Sequence, residues 1–186
     1  MNLDTNWPAL IGRHVLVQQR IAELDFEQLW GHELPGLATS ATELGELEAR
    51  VGRLPDDYRA FLLAANGWRA FHQWVDLLSV KEVMGERGSE GERICSEFSA
   101  RGVFEHTGVT PADLLPIGST RPGYRDLGTT LFVLSLRGPT RSTVYWLGAH
   151  GLVDSFPSFT TFFVSMTEYG LEEVASLEAE HPTAQK

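Results

Sequence analysis

The chain of 186 residues has one cysteine, Cys95, so no internal disulfide and no cysteine-based metal framework can form, and a reducing, cytoplasmic setting is expected. Long apolar runs are missing as well. No stretch approaches the length of a membrane span, and the N-terminus lacks a basic start followed by an apolar segment, so neither anchor nor leader is expected. Positive charge is scarce: 15 Lys and Arg stand against 25 Asp and Glu, a net charge of −10. Nucleic acid and anionic lipid both demand a positive face, so they are poor ligands for this chain, whereas a basic protein partner is compatible with it. Internal repeats and low-complexity tracts are absent too, and the length suits one domain with a terminal extension.

The chemical motifs are equally sparse. Six histidines (14, 32, 72, 106, 150, 181) include no pair three or four apart, so helical zinc spacing is missing. There is no nucleophile elbow, no phosphate-cradling glycine loop ending in lysine, and no dinucleotide fingerprint. Cys95 has no catalytic neighbourhood in sequence and reads as a structural thiol. Asp56 and Asp57 are explained by the positive end of the helix they open. The expectation is therefore no enzyme, no metal and no cofactor.

What is present is a succession of amphipathic elements. Val17, Ile21 and Leu24 fall at helical spacing within residues 8–30, and Asp25 with Gln28 resembles a capping box opening a further short turn. Residues 31–40, with Pro35 and Gly36, read as a linker. Ser40 with Glu43, or Thr42, caps a second helix carrying Leu44, Leu47 and Val51, which Gly52 ends. Pro55 fits the first position of a third helix with Tyr58, Phe61, Leu62 and Ala65 buried, stopping at Asn66 and Gly67. Apolar, β-branched runs then place strands at 75–80, 114–117, 130–136, 142–147 and 151–155, the last three joined by hairpins. Residues 81–104, broken by Gly85, Gly88 and Gly91, read as a solvated loop or frayed helix. Phe159, Phe162, Phe163 and Met166 form a helix against the sheet, followed after Gly170 by a weaker helix and a polar tail.

With these elements in place, residues 41–67 resemble the opening of SUKH domains: Leu47 and Glu48, Gly52, Leu54 and Pro55, Asp57 and Tyr58, Phe61 and Leu62, Asn66 and Gly67. Downstream, Leu115 to Gly118, the strand at 130–136, Val144 with Tyr145, and residues 156–163 follow the same order. The resemblance implies an α+β fold, a curved and mainly antiparallel sheet with helices packed around it. Residues 35–170 would be the domain, 1–34 a helical extension, and 171–186 a terminal helix and tail. It further implies a non-catalytic module that binds proteins. Relatives include bacterial immunity proteins that neutralise polymorphic toxins and regulatory scaffolds. The partner expected here is a basic toxin domain, a nuclease or deaminase.

For the contact surface, Trp68 and Trp74 follow Asn66 and Gly67 directly and either complete the core or anchor a partner. Tyr124, Arg125 and Asp126 lie in the glycine-rich segment 118–128, where Arg121 and Arg125, with Arg137 and Arg141 beyond it, read as a locally basic patch. These five, Trp68, Trp74, Tyr124, Arg125 and Asp126, are the candidate binding residues.

Overall fold

The computed structural model describes residues 5–26 and 30–180. In chain order these form α1 (Trp7–Leu24), α2 (Ala41–Val51), α3 (Asp56–Leu62), β1 (Trp68–His72), β2 (Val75–Leu77), α4 (Val80–Met84), α5 (Glu86–Ala100), β3 (Leu114–Thr120), β4 (Leu131–Ser135), β5 (Val144–Gly148), β6 (Gly151–Phe156) and α6 (Phe159–Glu180). Gln28, expected to cap a turn from Asp25, and the tail at 181–186 lie outside the described residues. The six strands form one sheet in the order β1-β2-β3-β4-β5-β6, antiparallel throughout. The fold is thus α+β, as the sequence implies, and its meander follows from short connections between sequential strands.

Both faces of the sheet are covered. On one, Leu77, Ile117, Phe132, Leu134 and Phe156 meet Leu44, Leu47, Tyr58, Phe61, Phe159, Phe162 and Phe163 from α2, α3 and α6. On the other, Leu131, Val133, Tyr145 and Leu147 meet Cys95 and Phe98 of α5 with Phe104. A sheet buried on both sides reads as continuous apolar runs, and every residue of β4 is buried.

Residues 81–104 are not a solvated loop. Up to Ala100 they form α4 and α5, the helical alternative in ordered form, with a turn at 101–104, and the glycines that interrupt the sequence pattern are contact points. A Cβ at Gly91 would lie 2.5 Å from Cβ of Pro116, and one at Gly88 would lie 1.8 Å from the Val83 carbonyl oxygen. Close packing of helix on sheet and of α5 on α4 requires the missing side chains, which is why the apolar stripe is thin. Similarly, α6 runs unbroken through Gly170, whose Cβ would lie 2.7 Å from Cγ1 of Val17 in α1.

The β1 strand is unread in the sequence because its residues do not alternate. Ala70 takes a φ of 52°, the register with β2 shifts between Trp68 and His72, and Ala70 and Phe71 are consecutively buried. A bulge of this kind re-aims the following side chains. It turns Phe71 into the main core and leaves His72 half-buried beside it.

Local signals in the helical pair are realised with small shifts. Ser40 and Glu43 make the reciprocal capping box of α2. Pro55 sits one position earlier than expected, immediately before α3, and Asp57 accepts the amide of Thr160 at 2.9 Å, joining α3 to the start of α6. α3 ends at Leu62, so Asn66 and Gly67 do not cap it. Instead Asn66 Oδ1 accepts the amide of Val80 at 2.8 Å, the first residue of α4. The linker 31–40 is strapped to this corner: the Gly36 amide donates to Gly67 O at 2.8 Å and the Thr39 amide to Leu62 O at 2.9 Å.

Candidate protein-binding surface

The five candidate residues divide between core and surface. Trp68 is 2% exposed, packs with His14, Phe71 and Phe163, and donates its indole N–H to Glu33 O at 2.8 Å. Trp74, half-buried, follows the tip of the β1–β2 hairpin, where its carbonyl accepts the Arg121 amide at 2.9 Å. Arg121 leads into a short 3₁₀ turn, Pro122–Leu127, which carries Tyr124, Arg125 and Asp126, all exposed. The fold therefore brings Trp74 and the start of this turn together and keeps Trp68 apart.

The basic patch read from the sequence is dispersed. Arg121 is drawn inward, its Nε donating to Asp76 at 2.7 Å and its Nη2 to Glu33 at 2.7 Å. Arg125 pairs with Glu90, Arg137 stands 4.0 Å from Asp113, and Arg141 donates to the Arg53 carbonyl at 3.1 Å. Arg121 and Arg125 share one turn and Arg137 and Arg141 share the β4–β5 connection, yet each side chain reaches different acceptors.

Two concavities flank this end of the sheet. The first, about 350 Å³, lies between α5 and the ends of β3 and β4 and is lined by four arginines (87, 93, 101 and 125) and by Glu90 and Glu97. All four guanidiniums are engaged. Arg87 donates to Asp76 at 2.9 Å, to Glu82 at 3.0 Å and to Ser119 Oγ at 3.0 Å. Arg93 pairs with Glu97, Arg125 with Glu90, and Arg101 lies 5.1 Å over the Phe98 ring. Burial pushes the Glu82 carboxyl up, yet the Ser79 amide and hydroxyl together with Arg87 hold it below its ordinary range. Three of these guanidiniums are thus ion-paired, and Arg101 is held by the Phe98 ring and the Ala149 carbonyl.

The second concavity, about 360 Å³, is built from Trp30, His72, Gln73, Trp146, Val153, Asp154, Tyr169 and Glu173. His72 stands edge-on to two indoles, 5.4 Å from Trp30 and 5.3 Å from Trp146. Tyr169 lies 6.0 Å from Trp146 and donates its hydroxyl to Asp154 at 2.8 Å. Burial lowers the His72 pKa to about 4, so the imidazole is neutral at pH 7. Its tip residue Gln73 has a φ of 52°, unusual for a side chain other than glycine. The aromatic residues come from four separate segments, and no spacing in the sequence connects them.

Cys95 is fully buried, and burial followed by the nearby Glu92 pushes its thiol up to about 12, the opposite of a nucleophile's tuning. Among the described residues no three His, Cys, Asp or Glu converge to hold a metal ion. Among them, too, no helix is long and apolar enough to cross a membrane.

A comparison with known families finds that the SMI1 / KNR4 family (SUKH-1) matches residues 38–165. No curated protein matches the chain. The matched span runs from just before α2 into α6 and contains the whole sheet, while α1 and the later part of α6 fall outside it.

Proposed function

The chain belongs to the SMI1 / KNR4 family (SUKH-1), and from that membership we propose that it is a non-catalytic bacterial immunity protein that neutralises a cognate polymorphic toxin by stoichiometric occlusion. The family fits toxin immunity or a related regulatory module and is in general non-enzymatic. In this reading residues 35–170 are the binding domain, residues 1–34 a helical extension, and residues 171–186 a terminal segment. The protein works in the cytoplasm, where its toxin would act.

The family match carries the reading, and two observations support it. The net charge of −10 speeds encounter with a basic nuclease or deaminase domain. The exposed turn with Tyr124, Arg125 and Asp126, together with Trp74 beside it, offers a rim around the hairpin end of the sheet, and Trp68 stays with the core. A standard interface buries about 800 Å² on each partner, within reach of a domain of this size.

The test is co-expression with the toxin encoded beside its gene. Protection of the cells and co-purification in a one-to-one complex are expected, and loss of protection when Tyr124 and Trp74 are both changed to Ala would place the rim in the interface. Unprotected cells overturn the immunity reading. An endogenous partner in place of a toxin would instead mark a regulatory scaffold.

A further inference from the structure

We propose that the hollow walled by Trp30, His72, Trp146 and Tyr169 binds the guanidinium of an arginine side chain presented by a protein partner, with Asp154 and Glu173 supplying the counter-charge. This rests on the reading of the chain as a protein-binding module only for the source of the arginine. The chemistry of the hollow stands on its own.

Its charge balance is one-sided. Among the described residues two carboxylates line it, no Lys or Arg does, and the one imidazole, that of His72, is neutral. Asp154 accepts one bond at each oxygen, from the Ser155 amide at 2.7 Å and the Tyr169 hydroxyl at 2.8 Å. A carboxylate has about four lone-pair sites, so it is fixed in place with capacity to spare. Glu173 has no hydrogen-bond or ion-pair partner among the described residues. Two cations on the α1–α6 face are already committed, Arg13 to Glu168 at 2.8 Å and Arg20 to Glu178 at 2.7 Å. This hollow is therefore the reverse of the arginine-lined groove, whose lining carries four guanidiniums and two carboxylates.

The walls select the kind of cation. Aromatic faces attract a cation through their quadrupole, most strongly for Trp, and the pull grows when water is excluded. A guanidinium is planar, weakly hydrated and able to stack on a ring while its edge forks to a carboxylate, and an ammonium offers none of these. Val153, 56% exposed on the hollow's border, and Leu152, 44% exposed beside it on β6, provide apolar surface for the stem of the residue and its neighbours in a partner chain. A partner protein is the source because a free amino acid would bring its own carboxylate against Asp154 and Glu173.

The experiment uses the whole chain and three probes: Nα-acetyl-arginine amide, its uncharged isostere Nα-acetyl-citrulline amide, and free arginine. The indole N–H resonances of Trp30 and Trp146 report occupancy. The arginine amide should shift both saturably, the citrulline amide should shift neither, and free arginine should bind more weakly than the amide. Glu173→Gln, which breaks no hydrogen bond or ion pair among the described residues, should weaken the amide about tenfold with an unchanged melting temperature. Absence of shifts, equal shifts with citrulline, tighter binding of free arginine, or an unaffected Glu173→Gln variant would each overturn the proposal. If a toxin is neutralised but the hollow ignores arginine, this inference fails alone. If the hollow binds arginine and no toxin is neutralised, only the immunity reading fails.

Discussion

Nδ1 of His14 lies 3.0 Å from the Thr167 hydroxyl oxygen, an interior link between α1 and α6 in which both residues are buried. The other ring nitrogen is 3.2 Å from the Phe71 carbonyl, and the imidazole stacks on the Phe71 ring at 4.7 Å. Burial lowers its pKa from 6.5 to about 4, against the opposing pull of the Phe71 carbonyl and with a small push from His72. Above pH 6.5 the ring is neutral whether the chain is folded or not, and its stabilisation is complete. As pH falls from 6.5 towards 4, the unfolded chain takes up a proton that the folded one refuses. His14 should lower stability by up to about 1.4 kcal/mol per pH unit over that window, and His72, lowered to about 4 by its own burial, should add a similar slope. Urea unfolding between pH 7.5 and 5 checks this, and His14→Gln should roughly halve the slope, leaving the part due to His72, while lowering stability at pH 7.5. The capping carboxylates Glu43, Glu82 and Asp113, all held below their ordinary range, lose their contribution only at lower pH.

Asp76 concentrates three donors on a nearly buried carboxylate: Arg87 Nη1 at 2.9 Å, Arg121 Nε at 2.7 Å and the Ala70 amide at 2.9 Å. Asp76→Ala takes one carboxylate from each of two partly buried guanidiniums, which keep Glu82 with Ser119 and Glu33 respectively, and unpairs the bulge amide, so a loss of about 2–3 kcal/mol is expected in chemical denaturation. Breaking the exposed Arg93 pair with Glu97 by Arg93→Ala should cost less than about 1 kcal/mol. Similar losses from the two variants would sink the view that Asp76 anchors the hairpin.

Asn66 and Gly67 have separable duties. Asn66→Ala removes the acceptor for the Val80 amide at the start of α4 and should cost about 1 kcal/mol. Gly67→Ala should cost about 1–2 kcal/mol more, because φ is +80° and the added Cβ would lie 2.7 Å from the Ser79 amide nitrogen. Thermal melts of the two variants would show whether that order holds.

At the α1–α6 crossing, Gly170→Ala gains up to about 1 kcal/mol of helix propensity but drives a methyl into Val17, whose branched side chain cannot swing aside. A net loss of about 1 kcal/mol or more is expected from overpacking. Val17→Ala in the same chain should return part of it, and additive effects of the two changes would contradict direct contact.

The sequence displays those parts of the fold that depend on neighbours in the chain. The Ser40 and Glu43 cap, the Phe159 to Met166 stripe and the three hairpin strands are periodic or local signals, and each forms within a residue or two of its expected place. Residues that answer to distant partners are silent. Gly88 and Gly91 look like breaks because their contacts are Val83 and Pro116, and β1 hides because a bulge at Ala70 destroys its alternation. The aromatic hollow is the extreme case, since Trp30, His72, Trp146 and Tyr169 meet only through tertiary packing. Among the candidate residues the glycine-rich segment that carries Tyr124 was legible, whereas its 3₁₀ turn and the engagement of Arg125 by Glu90, far away in sequence, were not.

The two stretches outside the family match, α1 and the part of α6 beyond residue 165, close over each other: Val17, Ile21 and Trp30 meet Val174 and Leu177. Neither can be trimmed without uncovering its mate, so natural variants should gain or lose them jointly. Three of the hollow's residues, Trp30, Tyr169 and Glu173, sit on or beside this pair, while His72, Trp146 and Asp154 belong to the shared sheet. Swapping the pair between relatives would replace three of that pocket's eight lining residues and leave the sheet intact, giving evolution a way to change the partner without redesigning the scaffold.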